Sequence, residues 1–410
     1  MRTIHDSRFT IHSLYIHIPF CKKKCNYCDF VSYAGKEALI NKYIETVCQE
    51  IASCFTPHSS PLTTIYFGGG TPTLLSPKHF EKIFQHLTPL IPLSITDGEG
   101  ETRSVAEGGG EACEISIEAN PGTANKAKLK TLRELGINRL SIGAQSFNDR
   151  HLKVLGRIHT AEDILRFYDD SRAAGFDNIN LDLIFALPNQ TLADWQKDLQ
   201  TAMAQQPNHL STYNLQIEDG TPFWTSINPH PHPLSHRERG EKEGYDKKKN
   251  QGEGVLELPN EETELAMYEY TIETLTKAGY THYEISNFSK PGYECQHNIS
   301  YWLNKNYLGI GAGAHSHING KRWSNPNCIE KYIKTPSSFL PLIKGENVDP
   351  GETIFMGLRL LDGISKEHFN GFEKEVTKLT QSGLLIQDNH NIKLTRKGLY
   401  LANEVFKKFV

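Results

Sequence analysis

SLYIHIPFCKKKCNYCDF, residues 13–30, runs from a strand into a loop of soft metal ligands, and the fold is read from that junction. SLYIHI (13–18) has strand character, Pro19 and Phe20 follow it, and Cys21, Cys25 and Cys28 then crowd into eight positions. Spacers of three and two residues let one loop wrap three thiolates around a single centre, and thiolates suit zinc or an iron–sulfur cluster. A structural zinc site closes itself with a fourth protein ligand. His17 is a candidate, but it lies within the strand among alternating neighbours, where it points into a barrel or packs. Position 30, where another cysteine could stand, is Phe30. Three cysteines on a four-iron cluster leave one iron open to a reacting small molecule. Lys22, Lys23 and Lys24 place positive charge beside the sulfurs and are expected to lower their pKa.

Outward from this loop the chain alternates strands and helices. Strands are predicted over 63–67, 113–119, 139–144, 178–186 and 209–215, with helices over 36–54, 76–87, 126–136, 161–175 and 191–205. About six β-then-α units in a row predict a parallel sheet that closes fully or partly into a barrel, with its chemistry at the carboxyl ends of the strands. The cysteine loop leaves the first strand at that end. Residues 94–112 are rich in Gly and Glu, and residues 228–254 are rich in Pro, Gly and mixed charge; both read as solvated insertions. An amphipathic helix is predicted over 261–279. The tail from residue 351 orders helix, helix, hairpin, helix, as a winged-helix unit does; lacking a clear basic recognition face, it suits packing or lid duty better than DNA binding. The expected architecture is α/β: a partial (β/α)6 TIM-like barrel over 1–227 with the insertion 94–112, a charged insertion over 228–254, and an α+β region over 255–410 ending in the winged-helix-like unit.

Composition bounds the function. The 410 residues carry a net charge of −4, so no global basic field invites nucleic acid. The longest apolar runs are strand-sized, far short of the ~20 residues of a membrane span. No signal peptide is evident at the N-terminus, so the cytoplasm is the expected location and disulfides are not expected among the eight cysteines. Those outside the triad, Cys48, Cys54, Cys113, Cys295 and Cys328, read as small buried hydrophobes.

The triad C-x3-C-x2-C after the first strand, with Tyr27 just before its last cysteine, resembles the radical S-adenosylmethionine superfamily. The resemblance implies a [4Fe–4S] cluster on Cys21, Cys25 and Cys28, with the open iron binding the amino and carboxylate groups of S-adenosylmethionine. The reduced cluster would pass one electron to the sulfonium and release a 5′-deoxyadenosyl radical. FGGGTPT (67–73) resembles the loop that receives the amino group, which assigns Gly69, Gly70 and Thr71 to the cofactor. Glu118 in SIEANPG, and Tyr15 and Tyr27, match cofactor contacts of relatives. Gln145, Arg157 and Asp182 lie at or beyond later strand ends; Arg157 suits a carboxylate and Asp182 a hydroxyl or ammonium.

LYIHIPFC, FGGGTPT, SIEANPG, RLSIGAQSF, NLDLIFALP, YEISNF and HNISYW, in order across nearly the whole chain, resemble two related groups. One is the oxygen-independent coproporphyrinogen III dehydrogenases; the other is the HemW-type heme chaperones. The dehydrogenases carry a further cysteine where this chain has Phe30, and a longer arm before the cluster loop. HNxxYW is the signature of the chaperones. The resemblance therefore implies a cytoplasmic heme chaperone that binds heme and passes it to acceptor hemoproteins such as respiratory ones, with decarboxylation of coproporphyrinogen III as the alternative. A plain zinc module is disfavoured by GGGTP and the β/α array. If CQHNISYW (295–302) is helical, His297 and Tyr301 share a face. An imidazole with adjacent aromatics suits an axial ligand and a flat wall for heme, which assigns His297, Asn298, Tyr301 and Trp302; packing explains most such His–Trp pairs without a ligand. Cys295 is a second candidate ligand, and His315 and His317, on a Gly-rich loop, line the same cavity or cap a turn. Oligomeric state, a homodimer included, and peripheral membrane contact stay open.

Overall fold

Six strands lie side by side in chain order, each parallel to the next: β1 (Ser13–Ile18), β2 (Thr64–Gly69), β3 (Glu114–Ala119), β4 (Arg139–Gln145), β5 (Asn178–Phe185) and β6 (His209–Asn214). The computed structural model describes residues 11–55, 59–91, 113–227, 256–335 and 345–410. Both expected insertions, 94–112 and 228–254, lie outside the described residues. Helices α1 (Ile40–Cys54), α2 (Pro77–Leu87), α3 (Lys126–Glu134), α4 (Ala161–Ala173) and α5 (Leu192–Ala204) return the chain between strands. Their starts follow local chemistry. Thr160 with Asp163 and Thr191 with Asp194 form capping boxes, and Asn125 caps α3 with its side chain.

Each strand sorts its side chains by the period of two. One set is apolar: Leu14, Ile16, Ile65, Phe67, Ile117, Leu140, Ile142, Leu181. It packs with Val47, Ile51, Phe80, Leu129, Phe167 and Trp195 of the helices in one core. The alternate set is polar yet just as buried: Ser13, Thr64, Ser116, Arg139, Ser141, Asn180, His209 and Ser211. It faces a lumen filled with hydrogen bonds. Asn180 Nδ2 donates to Ser141 Oγ (2.7 Å) and to Asp182 Oδ1 (2.8 Å), and His209 Nδ1 meets Asn180 Oδ1 at 2.7 Å. Buried polar groups tolerate such a place only when partnered.

The sheet continues past the six strands. β7 (Thr281–Glu284) and β8 (Asn287–Ser289) extend it beyond β6 with antiparallel pairing. β9 (Tyr307–Ile310) pairs parallel to β1, followed by β10 (His315–Ile318), β11 (Lys321–Ser324) and β12 (Glu346–Asn347), giving twelve strands in one open sheet. The α/β barrel is therefore partial, as expected, and strands from after residue 255 build both of its flanks. His315 and His317 stand on β10 rather than on a loop. Helix α6 (Glu261–Lys277) covers α5: Trp195 Nε1 donates to Met267 O at 3.1 Å and Thr271 Oγ1 at 2.9 Å. Among the described residues no helix is long and apolar enough to cross a membrane.

A second, smaller core belongs to the tail. Ile354, Leu358, Phe369, Leu379, Leu394, Val405 and Phe409 hold helices α8 (Pro350–Gly357), α9 (Glu373–Gln381), α10 (Arg396–Tyr400) and α11 (Ala402–Phe406) around a three-stranded sheet of Ile364–Ser365, Leu385–Gln387 and Asn391–Leu394. The helix, helix, hairpin, helix order read from the sequence is the order found.

Candidate functional site

The cysteine loop leaves the carboxyl end of β1 and folds back on itself: Phe20–Cys21 pairs in parallel with Tyr33–Ala34. Cys28 N–H donates to Cys25 O at 3.3 Å. Each sulfur has a polar neighbour. Cys21 Sγ meets Thr71 Oγ1 at 3.6 Å, Cys28 Sγ meets Ser32 Oγ at 3.9 Å, and the Arg157 guanidinium donates to Cys25 Sγ at 3.6 Å. Burial pushes the Cys21 and Cys28 thiols up. The expected lowering by lysine is outweighed, because Lys22 and Lys24 aim their ammonium groups at the Gly122 and Phe30 carbonyls (3.2 Å each) rather than at sulfur. A thiolate held there needs a bound cation to offset its charge. All eight cysteines are free; Cys48, Cys54, Cys113 and Cys295 are buried, as expected, whereas Cys328 is only half-buried.

The three thiols share a cavity of about 510 Å³ with Tyr27, Gly69, Gly70, Thr71, Glu118, Gln145, Arg157 and Asp182. Eleven of the residues singled out in the sequence thus meet in one place, at the carboxyl ends of the strands. Phe30, 67% exposed, stands at its rim. The GGGT loop is fastened to the cysteine loop: Gly70 N–H donates to Ile18 O (2.9 Å) and Thr71 N–H to Phe20 O (2.8 Å). At Gly69 (φ +110°) a Cβ would lie 2.3 Å from the His17 ring, and at Gly70 it would lie 2.8 Å from Phe20 O. The glycines therefore let the loops close on each other as well as bare backbone toward the cavity.

Glu118 is the hub of one wall. Its Oε2 accepts from Gly69 N–H at 3.0 Å and its Oε1 from Tyr66 OH at 3.1 Å. Burial, reinforced by the charge of Asp182, raises its carboxyl to about 7. Burial also raises Asp182, against hydrogen bonds from Ser211, Asn180 and Ser141. Arg157 is held by Asn120 Oδ1 and Gly143 O, both at 2.5 Å. Gln145 sits at φ +70° where β4 ends, a conformation that turns its side chain into the site.

Tyr15, His297, Asn298, Tyr301 and Trp302 do not line the cavity. Helix α7 (Gln296–Trp302) stops the opposite, amino end of the barrel. The first residues of three strands hold it. Ser13 Oγ meets Ser300 Oγ at 3.0 Å, Thr64 Oγ1 meets His297 Nδ1 at 2.9 Å, and Glu114 accepts from the backbone N–H of Gln296 (3.0 Å) and His297 (3.2 Å). His297 Nε2 meets Tyr301 OH at 2.8 Å, the four-residue pair expected from a helix. His297 is fully buried and stacks on Tyr66 with ring centroids 5.1 Å apart. Tyr66 is thus the partition between cavity and helix. Tyr15, whose OH meets His17 Nδ1 at 2.9 Å, stacks beside it at 6.3 Å. His17 gives its other nitrogen to Val31 O at 2.7 Å, so it packs as expected and is no fourth ligand. Trp302 lies under the Arg359 guanidinium, 4.4 Å from its ring centre. Cys295 is buried with its thiol pushed up to about 12, and His315 and His317 stand away from the cavity. Tyr66, Asn120, Ser141 and Tyr213 line the site without having been singled out in the sequence.

Buried imidazoles make stability pH-dependent. Burial lowers His17, His159 and His282 to about 4 and His297 to about 3. They stay neutral in the folded chain and protonate in the unfolded one near pH 6.5, so stability falls as pH drops below that value. From pH 7 to 5 each contributes a loss of about 2 kcal/mol. Glu118 and Asp198, raised to about 7 and about 6, bind protons more readily when folded and offset part of this. A lower urea midpoint at pH 5 than at pH 7 is expected. A higher midpoint at pH 5 than at pH 7 would overturn the placing of these imidazoles as neutral in the fold.

The radical SAM superfamily profile matches residues 15–202, and the HemN C-terminal domain matches residues 348–401. The heme chaperone HemW of Lactococcus lactis is 34% identical over 411 residues, covering 97% of each chain. That of Bacillus subtilis is 34% identical over 413 residues, covering 97% of this chain and 99% of its own. Among solved structures, coproporphyrinogen III oxidase (HemN) from Escherichia coli, described as a radical SAM enzyme, superposes with a TM-score of 0.70 at 22% identity. It spans 98% of this chain and 91% of its own, and shares the fold.

Proposed function

From the premise that this chain belongs to the radical S-adenosylmethionine superfamily and, within it, to the family of the heme chaperones HemW, we propose that it binds heme and delivers it to acceptor hemoproteins in the cytoplasm. The observation that carries the reading is the meeting of Cys21, Cys25 and Cys28 with Glu118 and the GGGT loop on one cavity, in a chain matched to those chaperones over 97% of its length.

Superfamily membership implies a [4Fe–4S] cluster and S-adenosylmethionine, and the residues fit both. Three free thiols line one cavity, and among the described residues no fourth Cys or His lines it. Among the described residues no three ligand side chains converge closely enough for a single ion, whereas a cubane takes each thiolate on a different iron, further apart. Cys21, Cys25 and Cys28 would hold the cluster, which when reduced supplies one electron to the sulfonium. Gly69, Gly70 and Thr71 offer bare backbone to the amino group. Glu118, near neutrality in its own titration, can accept from an ammonium or hydroxyl and hold or release a proton there. Arg157 suits the carboxylate and Asp182 a hydroxyl. Tyr66 bars solvent and cofactor from the lumen below.

Heme is assigned to the helix at the other end. His297 is held neutral by burial, as an iron ligand must be, and Nε2 would exchange Tyr301 OH for iron. Two experiments test the reading. Heme added to the purified chain is expected to give a Soret band; none would overturn it. Coproporphyrinogen III, incubated with reduced protein and S-adenosylmethionine, is expected to return unchanged, and measurable decarboxylated product would move the chain to the dehydrogenases.

A further inference from the structure

Strand β10 places a second buried imidazole beside the HNISYW helix. His317, 3% exposed, stands directly across from Tyr307, where the chain leaves that helix. Its Nδ1 meets the Lys305 carbonyl at 3.1 Å. A carbonyl only accepts, so Nδ1 carries the ring proton. Burial, with the charge of Arg322, lowers the imidazole and keeps it neutral, which leaves Nε2 a bare lone pair. That nitrogen is buried and, among the described residues, has no hydrogen-bond partner. A buried polar atom in that state calls for a partner. Histidines that bind metals are built this way: a carbonyl fixes one ring nitrogen so that the other faces the metal. His297 differs, with Thr64 on one nitrogen and Tyr301 on the other. His17 and His209 also have both nitrogens engaged. His151 and His159 each keep one nitrogen without a partner, but they follow β4 at the carboxyl end of the barrel. Two tyrosine rings separate the imidazoles of His297 and His317. Tyr301 packs on His297 with centroids 4.7 Å apart, Tyr307 on Tyr301 at 4.4 Å, and His317 lies 6.2 Å from Tyr307. The layer between them is side chain, which can turn aside for a flat macrocycle where backbone could not. Tyr301 and Trp302 are half-buried at its edge, and Leu303 beside them is exposed.

We infer that His317 is a second axial ligand for heme, giving its Nε2 to the iron on the face opposite His297. The inference rests on the heme reading above. Iron that bonds first at His297, in place of the Tyr301 hydroxyl, then meets a lone pair that neither a proton nor a hydrogen bond blocks. Closing the second bond releases no proton and changes no oxidation state. Two imidazoles make the iron six-coordinate and low-spin. They also divide release into two steps, because the His317 bond opens first and leaves the heme on His297 alone, with one face of the iron free for an incoming ligand.

The test titrates the full chain with ferric heme and, separately, with zinc protoporphyrin, whose metal takes a single axial ligand. Spin state is read by electron paramagnetic resonance and the visible spectrum. The parent is expected to hold ferric heme low-spin. His317→Ala is expected to hold it high-spin and about tenfold more weakly, as the loss of one metal contact would give. Added imidazole is expected to restore the low-spin signal in that variant. Zinc protoporphyrin should bind the parent and His317→Ala alike, because it uses His297 alone; an equal fall for both porphyrins would show lost packing and overturn the inference. His315→Ala, exposed and two residues earlier on the same strand, should match the parent. High-spin heme in the parent overturns the inference whatever the variants do, and so does a low-spin signal that survives in His317→Ala. A parent that gives no Soret band would instead sink the heme reading.

Discussion

Cys25→Ser is expected to strip the chain of its iron while leaving it folded. The parent, reconstituted without oxygen, should be brown, with about four irons per chain for a cluster with three protein ligands. The variant should hold under one, with the visible absorption gone. Cys25 is only half-buried, so exchanging sulfur for oxygen removes no core packing. The change does remove the soft donor beside Arg157, whose guanidinium keeps Asn120 and Gly143 as partners. Heme binding by the same variant should be intact, because the HNISYW helix stops the far end of the barrel, with the Tyr66 layer between. Iron and sulfide analysis with a heme titration on one preparation reads both. Iron retained in Cys25→Ser but lost in Cys295→Ser would relocate the cluster to the barrel's amino end. Loss of heme binding together with iron would mean that the two sites are one.

That separation of sites could not be read from the chain, although the site itself could. Three cysteines at fixed spacing announce their chemistry because no packing requirement produces them, and FGGGTPT and SIEANPG announce strand ends because glycine and proline punctuate. Tyr66, Ser141, Asn180 and Tyr213 carry no such mark. They are the alternate residues of ordinary strands, and alternation usually means polar toward water. Here helices cover one face and the other closes on a lumen, so the polar set points inward. The signal was present in every strand, in Thr64–Tyr66, Ser116–Glu118 and Asn180–Asp182; what was missing was which face is inside, a property of barrel closure and not of any segment. GIGAGAHSHI misled in part: Gly309 lies in a strand against the backbone of His315 with no room for a Cβ, and the turn that Gly311 and Gly313 make ends before His315, so both histidines fall on the strand that follows it. The HNISYW helix was legible as a helix, yet its burial came from Ser13, Thr64 and Glu114, distant in sequence.

That burial gives His297 and Tyr301 opposite expected effects. In His297→Ala the Soret band produced by heme should shift or collapse. The fold should also lose about 2–4 kcal/mol, since a buried ring and two hydrogen bonds go at once. Tyr301→Phe keeps the ring packed on His297, with centroids 4.7 Å apart, and deletes only the hydroxyl that competes for Nε2. It should cost about 1 kcal/mol of stability yet tighten heme about three- to tenfold, because iron no longer displaces a hydrogen bond of that size. Urea midpoints and heme titrations on the two variants separate ligation from packing. A merely structural histidine predicts that both variants weaken the fold and neither alters the heme spectrum. A ligand predicts that affinity rises in one and vanishes in the other. An unchanged Soret band in His297→Ala would take His297 out of the heme site.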